Sequence, residues 1–135
     1  MPTSHRALIA AFALSVLPAH ANAHSDPAET AVMAWLASID SGEFEKAWES
    51  SSPLLQRPLS PDMLARTVEL ARKDMGPVES RRPLRVISET SMPGAPRGDL
   101  KVFTFQTSFA NRQVTETVTP HLEDGAWRVS GYYVQ

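Results

Sequence analysis

The sequence predicts an α+β domain in which three N-terminal helices pack on a curved, four-stranded antiparallel meander. Three observations predict it. Apolar residues recur at helical spacing from residue 28 to residue 75, and alternation with period two takes over from residue 78. The pairs Asp26-Pro27 and Ser60-Pro61 each place a capping residue before a proline, the signature of a helix start. Asp124-Gly125 lies between the last two alternating runs and is a strong signal for a two-residue hairpin turn.

In the first helix Asp26 caps, Pro27 takes the first helical position and Glu29 completes a capping box. Ala28, Ala31, Val32, Trp35, Leu36 and Ile39 then form one apolar stripe, which Ser41-Gly42 ends. A short second helix over 43–50 offers Phe44, Ala47 and Trp48 to the same core, and Ser51-Ser52-Pro53 stops it. The third starts at Ser60 and turns Met63, Leu64, Thr67, Leu70, Ala71 and Met75 inward until Gly76-Pro77 terminates it. Strands are expected over 78–90, 100–109, 113–122 and 126–134. The stretch 92–98, rich in proline and glycine, separates the first two because it cannot sit in a central ladder. A turn near 110–112 brings Phe103, Phe105 and Phe109 onto the apolar face. With Asp124-Gly125 as pivot, Leu122 faces Trp127, Pro120 faces Val129, Val118 faces Gly131 and Glu116 faces Tyr133; a slip by one residue would mix the two faces. The other face collects Thr115, Thr117, Thr119, Arg128 and Ser130.

A length of 135 residues suits one domain rather than two, and 42% hydrophobic content is too high for a disordered chain. The absence of cysteine excludes a disulfide scaffold, a zinc ribbon, thiol catalysis and a lipidated cysteine. A net charge of -2 leaves no electrostatic footprint for nucleic acid. Residues 1–23 read as a signal peptide. Arg6 lies in a short polar n-region, the apolar run over 7–17 is too short to span a bilayer, and cleavage positions follow Ala21 and Ala23. A single α+β domain over 24–135 is then expected in the periplasm or outside the cell, with no membrane span after cleavage.

Several ordered segments also resemble a known family. They are Trp35-Leu36 through Asp40, Gly42 to Trp48, Gly76-Pro77-Val78-Glu79-Ser80-Arg81, Pro93-Gly94-Ala95-Pro96, Phe109-Ala110-Asn111, Glu116-Thr117-Val118-Thr119-Pro120 and Trp127-Arg128-Val129-Ser130-Gly131-Tyr132-Tyr133. In this order they resemble the small exported bacterial proteins of the family catalogued as domain of unknown function 4019, from about residue 28 to the C-terminus. The resemblance implies a cystatin-like or nuclear-transport-factor-two-like cone. It implies no activity and no catalytic residues, and cones of this kind serve enzymes and binding modules alike.

The residues themselves offer few chemical constellations. No phosphate-binding glycine loop, nucleophile elbow or zinc-helix pattern is present. A serine triad would have to use His121 with Asp124, yet His121 lies at a strand end on the outward phase, where a solvated side chain is expected. Cleavage after Ala23 would leave His24 at the N-terminus, able to chelate copper only with a second imidazole such as His121; no cofactor or metal is expected. Trp35, Trp48, Trp127 and Tyr133 are candidates for lining a pocket, and Trp127 is also expected to point into the core.

Arg81, Arg82 and Arg85 are expected to answer Glu79, Glu89 and Glu116 across strands. Glu116 is the one acid on the apolar face, between Val114 and Val118, and a buried carboxylate there must be protonated, hydrogen-bonded or ion-paired. Tyr133 stands opposite, and Arg81 or Arg82 can reach it, so a structural ion pair is expected; in an open cavity Glu116 would instead serve as a general base or ligand anchor. The candidate ligand-binding residues are therefore Glu116, Tyr133, Arg81, Arg82 and Trp127. The function expected is a non-catalytic module that binds a small molecule or a periplasmic protein. The alternative is a small cofactor-free hydrolase or isomerase built on Glu116.

Overall fold

The computed structural model of the protein describes residues 26–135. The signal expected over 1–23 and the His24 chelate lie outside the described residues. The chain runs through α1 (Pro27–Asp40), α2 (Phe44–Glu49), α3 (Pro53–Gln56) and α4 (Pro61–Ala71), then β1 (Val78–Glu89), β2 (Leu100–Phe109), β3 (Gln113–Glu123) and β4 (Ala126–Val134). The strands form one antiparallel sheet in the order β1-β2-β3-β4, so the α+β class and the meander are as the sequence predicts. Among the described residues the helical segments are four rather than three. Ser51-Ser52-Pro53 does stop α2, but the Ser52 side chain also accepts from the Leu54 N–H, with Pro53 in the first helical position. The cap-plus-proline signature thus occurs a third time and starts α3. No helix among the described residues is long and apolar enough to cross a membrane.

Asp26 caps α1 by accepting from the Ala28 N–H at 3.0 Å, and its other oxygen accepts from Lys101 Nζ at 2.9 Å. The lysine hydrogen bond, with the helix N–H groups behind it, holds the Asp26 carboxyl below its ordinary range even against desolvation. Asp26→Ala is expected to cost about 1 kcal/mol, the usual loss of an N-cap. Urea denaturation checks this, and Asp26→Ser, which keeps the cap and loses the lysine contact, should recover most of the loss.

The core is the stripe of α1 set against the inner face of the sheet. Ala28, Val32, Trp35, Leu36 and Ile39 pack with Leu64 and Val68 of α4, Phe103 and Phe105 of β2, Val118 of β3 and Val129 of β4. A smaller cluster joins Met75, Phe109 and Val114. Three residues expected inward on α4 are exposed, Met63 at 49%, Leu70 at 74% and Thr67 between them. This helix buries only the narrow line through Leu64 and Val68, spaced by one turn, rather than a full stripe. Gly76 has a φ of 76° and lies where a Cβ would stand 3.0 Å from Ala110 Cβ, so the link from α4 to β1 passes close over the β2–β3 turn.

The β3–β4 hairpin turns at Asp124-Gly125, both with positive φ, as a two-residue turn of this type requires. Leu122 pairs with Trp127 and Pro120 with Val129, as expected. The next pair is Thr119 with Gly131, so Ser130 is an extra residue on β4. This bulge corrects the predicted register: Val118 pairs with Tyr132 rather than Gly131, and Glu116 with Val134 rather than Tyr133. Its cause is local. Pro120 has no N–H to give to the ladder, and Ser130 fills the gap by donating its hydroxyl to the Thr119 carbonyl at 2.9 Å. Beyond the bulge Tyr132 turns inward and Tyr133 turns out, 52% exposed.

Candidate functional site

Glu116 of β3 has no exposed surface, and its carboxylate is the centre of a charged cluster to which five other elements contribute. Arg81 of β1 reaches across β2 and donates its Nε to Oε1 at 2.8 Å, and Thr107 of β2 donates its hydroxyl to the same oxygen at 2.5 Å. Arg72, at the C-terminal end of α4, donates Nη2 to Oε2 at 3.0 Å, and the Tyr132 hydroxyl donates to the same oxygen. Asp40, the last residue of α1, completes the cluster. It accepts from Arg72 at 2.8 Å and from both terminal nitrogens of Arg81 at 2.9 and 3.1 Å. Two carboxylates thus meet two guanidiniums, and the charges cancel. The Arg72 guanidinium also lies 5.1 Å from the ring centre of Phe109 and 5.5 Å from that of Tyr132, so aromatic faces replace water around it.

The electrostatics follow from these contacts. Burial pushes the Glu116 carboxyl up, but hydrogen bonds from Arg81, Thr107 and Tyr132, with the charge of Arg81, outweigh it and hold the group below its ordinary value. Asp40 is depressed in the same way by Arg81 and Arg72 against the cost of burial. Burial and the neighbouring Glu116 charge push the Tyr132 phenol up. Both oxygens of Glu116 accept two hydrogen bonds each, so the carboxylate is held ionised and fully occupied.

The residues singled out from sequence separate in space. Glu116 and Arg81 are joined, as the ion-pair expectation has it. Tyr133 is not their partner; the bulge hands that role to Tyr132. Arg82 is on the opposite phase of β1, exposed and donating to Gln106, because neighbouring residues on a strand point to opposite faces. Arg85, Glu79 and Glu89 take part in no ion pair among the described residues. Trp127 is only partly buried. It packs on the edge of the core with Lys101 Nζ 5.5 Å from its ring centre, at a separate cleft of about 250 Å³ with Glu89 and Asp99. Of the four aromatic candidates for a pocket, Trp35 is in the core and Trp48 donates its indole N–H to the Leu59 carbonyl at 2.6 Å.

Asp40, Arg72 and Thr107 were missed by the sequence reading, and a signal exists for two of them. Leu64, Val68 and Arg72 are successive steps of four along α4, and Leu36 and Asp40 are one such step along α1. A charged residue that continues a buried line at a helix end is a candidate buried ion. An aspartate there also opposes the helix dipole unless cations answer it. His121 corrects a further expectation. It is 4% exposed rather than solvated, because α3 and the 96–98 segment lie over it; the Ser52 N–H donates to the Val129 carbonyl at 2.8 Å and the Ser52 hydroxyl donates to Glu123.

An apolar groove of about 340 Å³ lies between α3, α4 and β4. Leu54, Leu59, Val68 and Ala71 form its helical wall, and Tyr132 and Tyr133 its strand wall. Gln56 Nε2 donates to the Trp48 carbonyl at 2.8 Å and the Trp48 indole holds Leu59, which together pin the α3–α4 link over the groove.

A family model described as "Protein of unknown function (DUF4019)" matches residues 31–132. No curated protein matches the chain.

Proposed function

The chain belongs to this family of proteins of unknown function, and we propose that it is a non-catalytic module that binds a small, largely apolar molecule in the groove along β4. The groove is the observation that carries the reading. Its volume falls in the range of about 300–1,000 Å³ typical of small-molecule sites. Its lining is apolar, with few polar groups: Thr67, the Ser130-Gly131 bulge and Tyr133, the Tyr132 hydroxyl being engaged by Glu116 and Arg72. The engagement of both Glu116 oxygens supports a binding role over a catalytic one, since a general base needs a free lone pair aimed at substrate. The packing of α1 on the inner face of the sheet supports a cystatin-like or nuclear-transport-factor-two-like cone. The apolar run over 7–17 with its small-residue cleavage positions supports export to the periplasm or beyond it.

The test is titration of the full chain with the uncharged fluorescent probe N-phenyl-1-naphthylamine. Saturable binding is expected, weakened at least about tenfold by Thr67→Arg, which loses about 1.4 kcal/mol by setting a charge over the apolar wall. Thr67 is exposed, so the melting temperature should hardly move. Absence of saturable binding, or equal binding by Thr67→Arg, overturns the reading.

A further inference from the structure

A second cleft, of about 200 Å³, lies on the other side of α3, with Leu54 in both walls. Around it stand Arg57, Pro96, Arg97, His121 and Glu123. His121 is buried, and its Nε2 has no hydrogen-bond partner among the described residues. Its Nδ1 lies 2.6 Å from Ser130 Oγ. The single Ser130 proton is committed to the Thr119 carbonyl, so Ser130 can only accept from Nδ1. Nδ1 therefore carries the ring proton and Nε2 presents a bare lone pair. A buried acceptor left so costs free energy comparable to a lost hydrogen bond, and its natural complement is an N–H or O–H donor. Glu123 supplies a second acceptor, because Ser52 occupies only its Oε1 and Oε2 has no partner among the described residues. Arg57 and Arg97 are exposed and make no ion pair among the described residues, so two guanidinium forks are free to take a carboxylate.

We propose that this cleft binds a small zwitterionic α-amino acid, with its ammonium group on His121 Nε2 and Glu123 and its carboxylate between Arg57 and Arg97. The alternatives fail on charge. A simple anion meets Glu123, a simple amine meets two guanidiniums, and a metal ion finds no set of three histidine or carboxylate ligands among the described residues. A dipolar ligand satisfies both ends at once. The volume equals roughly six or seven waters in the liquid, which admits only a small side chain.

Calorimetric titration of the full chain with glycine and L-alanine, beside N-acetylglycine (no ammonium) and glycinamide (no carboxylate), tests it. Saturable binding of glycine or L-alanine is expected, with both analogues at least about tenfold weaker, the factor set by one lost charged hydrogen bond. Arg97→Gln, an exposed change that leaves folding alone, should weaken binding by a similar factor, as should His121→Leu, with folding checked by circular dichroism. N-acetylglycine or glycinamide binding as well as glycine overturns the proposal. So does unchanged affinity in both Arg57→Gln and Arg97→Gln, or no saturable binding of either amino acid. The apolar probe in the neighbouring groove reports on a separate site, so failure here leaves that reading standing.

Discussion

Glu116→Gln is expected to destabilise the fold by about 3–5 kcal/mol, the cost of breaking a buried ion pair from one side. The isostere removes the charge that faces Arg81 and Arg72 and leaves Asp40 alone to answer two guanidiniums. It also places an amide N–H₂ where a carboxylate oxygen accepts two donors, so one end of the side chain sets donor against donor. Urea denaturation measures the loss, and a value below about 1 kcal/mol would mean that the cluster behaves as an exposed surface pair. The same cluster sets an acid limit. The Glu116 and Asp40 carboxyls are depressed in the folded protein from ordinary values of 4.5 and 3.8, so the unfolded chain takes up protons first as pH falls. Their stabilisation is complete above those values and is lost as pH drops through the lower folded ones. Wild type should therefore lose stability steeply in that acid range, and Glu116→Gln should show a shallower slope.

Trp35→Ala is expected to cost a comparable amount, about 3–5 kcal/mol, as a full truncation in the core. Trp35 is 2% exposed, and its ring lies 5.3 Å from that of Tyr132, tilted by 55°. Its indole N–H donates to Ser51 Oγ at 2.9 Å, and Ser51 in turn donates to the Ala47 carbonyl at 2.7 Å, so the ring also ties α1 to the end of α2. Trp127→Ala should cost clearly less, because that ring is partly exposed at the edge of the sheet. Denaturant midpoints of the two variants decide the order, and an equal or reversed order would displace Trp35 from the centre of the core. Tyr132 touches both Trp35 and Glu116, so Trp35→Ala with Glu116→Gln should depart from additivity by at least about 0.5 kcal/mol.

What the sequence by itself determined here is whatever local rules carry. The change from period 3.6 to period 2 places the helical half and the strand half. Asp26-Pro27 and Ser60-Pro61 start α1 and α4, and Asp124-Gly125 sets the pivot of the last hairpin. The isolation of Glu116 on an apolar face implies an arginine partner, and the arginine run of β1 contains it. Only the tertiary structure decided the rest. A period-two register propagates correctly until one residue is inserted. The insertion at Ser130, beside a proline that cannot donate, exchanges Tyr133 for Tyr132. Asp40 and Arg72 lie 32 residues apart in sequence and meet only because the ends of α1 and α4 converge over β1 and β3. His121 follows an outward phase, yet α3 and the 96–98 segment cover it, leaving a bare imidazole nitrogen at a cleft. Local periodicity says which side of an element a residue occupies. What stands against that side depends on contacts between distant segments, which chain spacing does not encode.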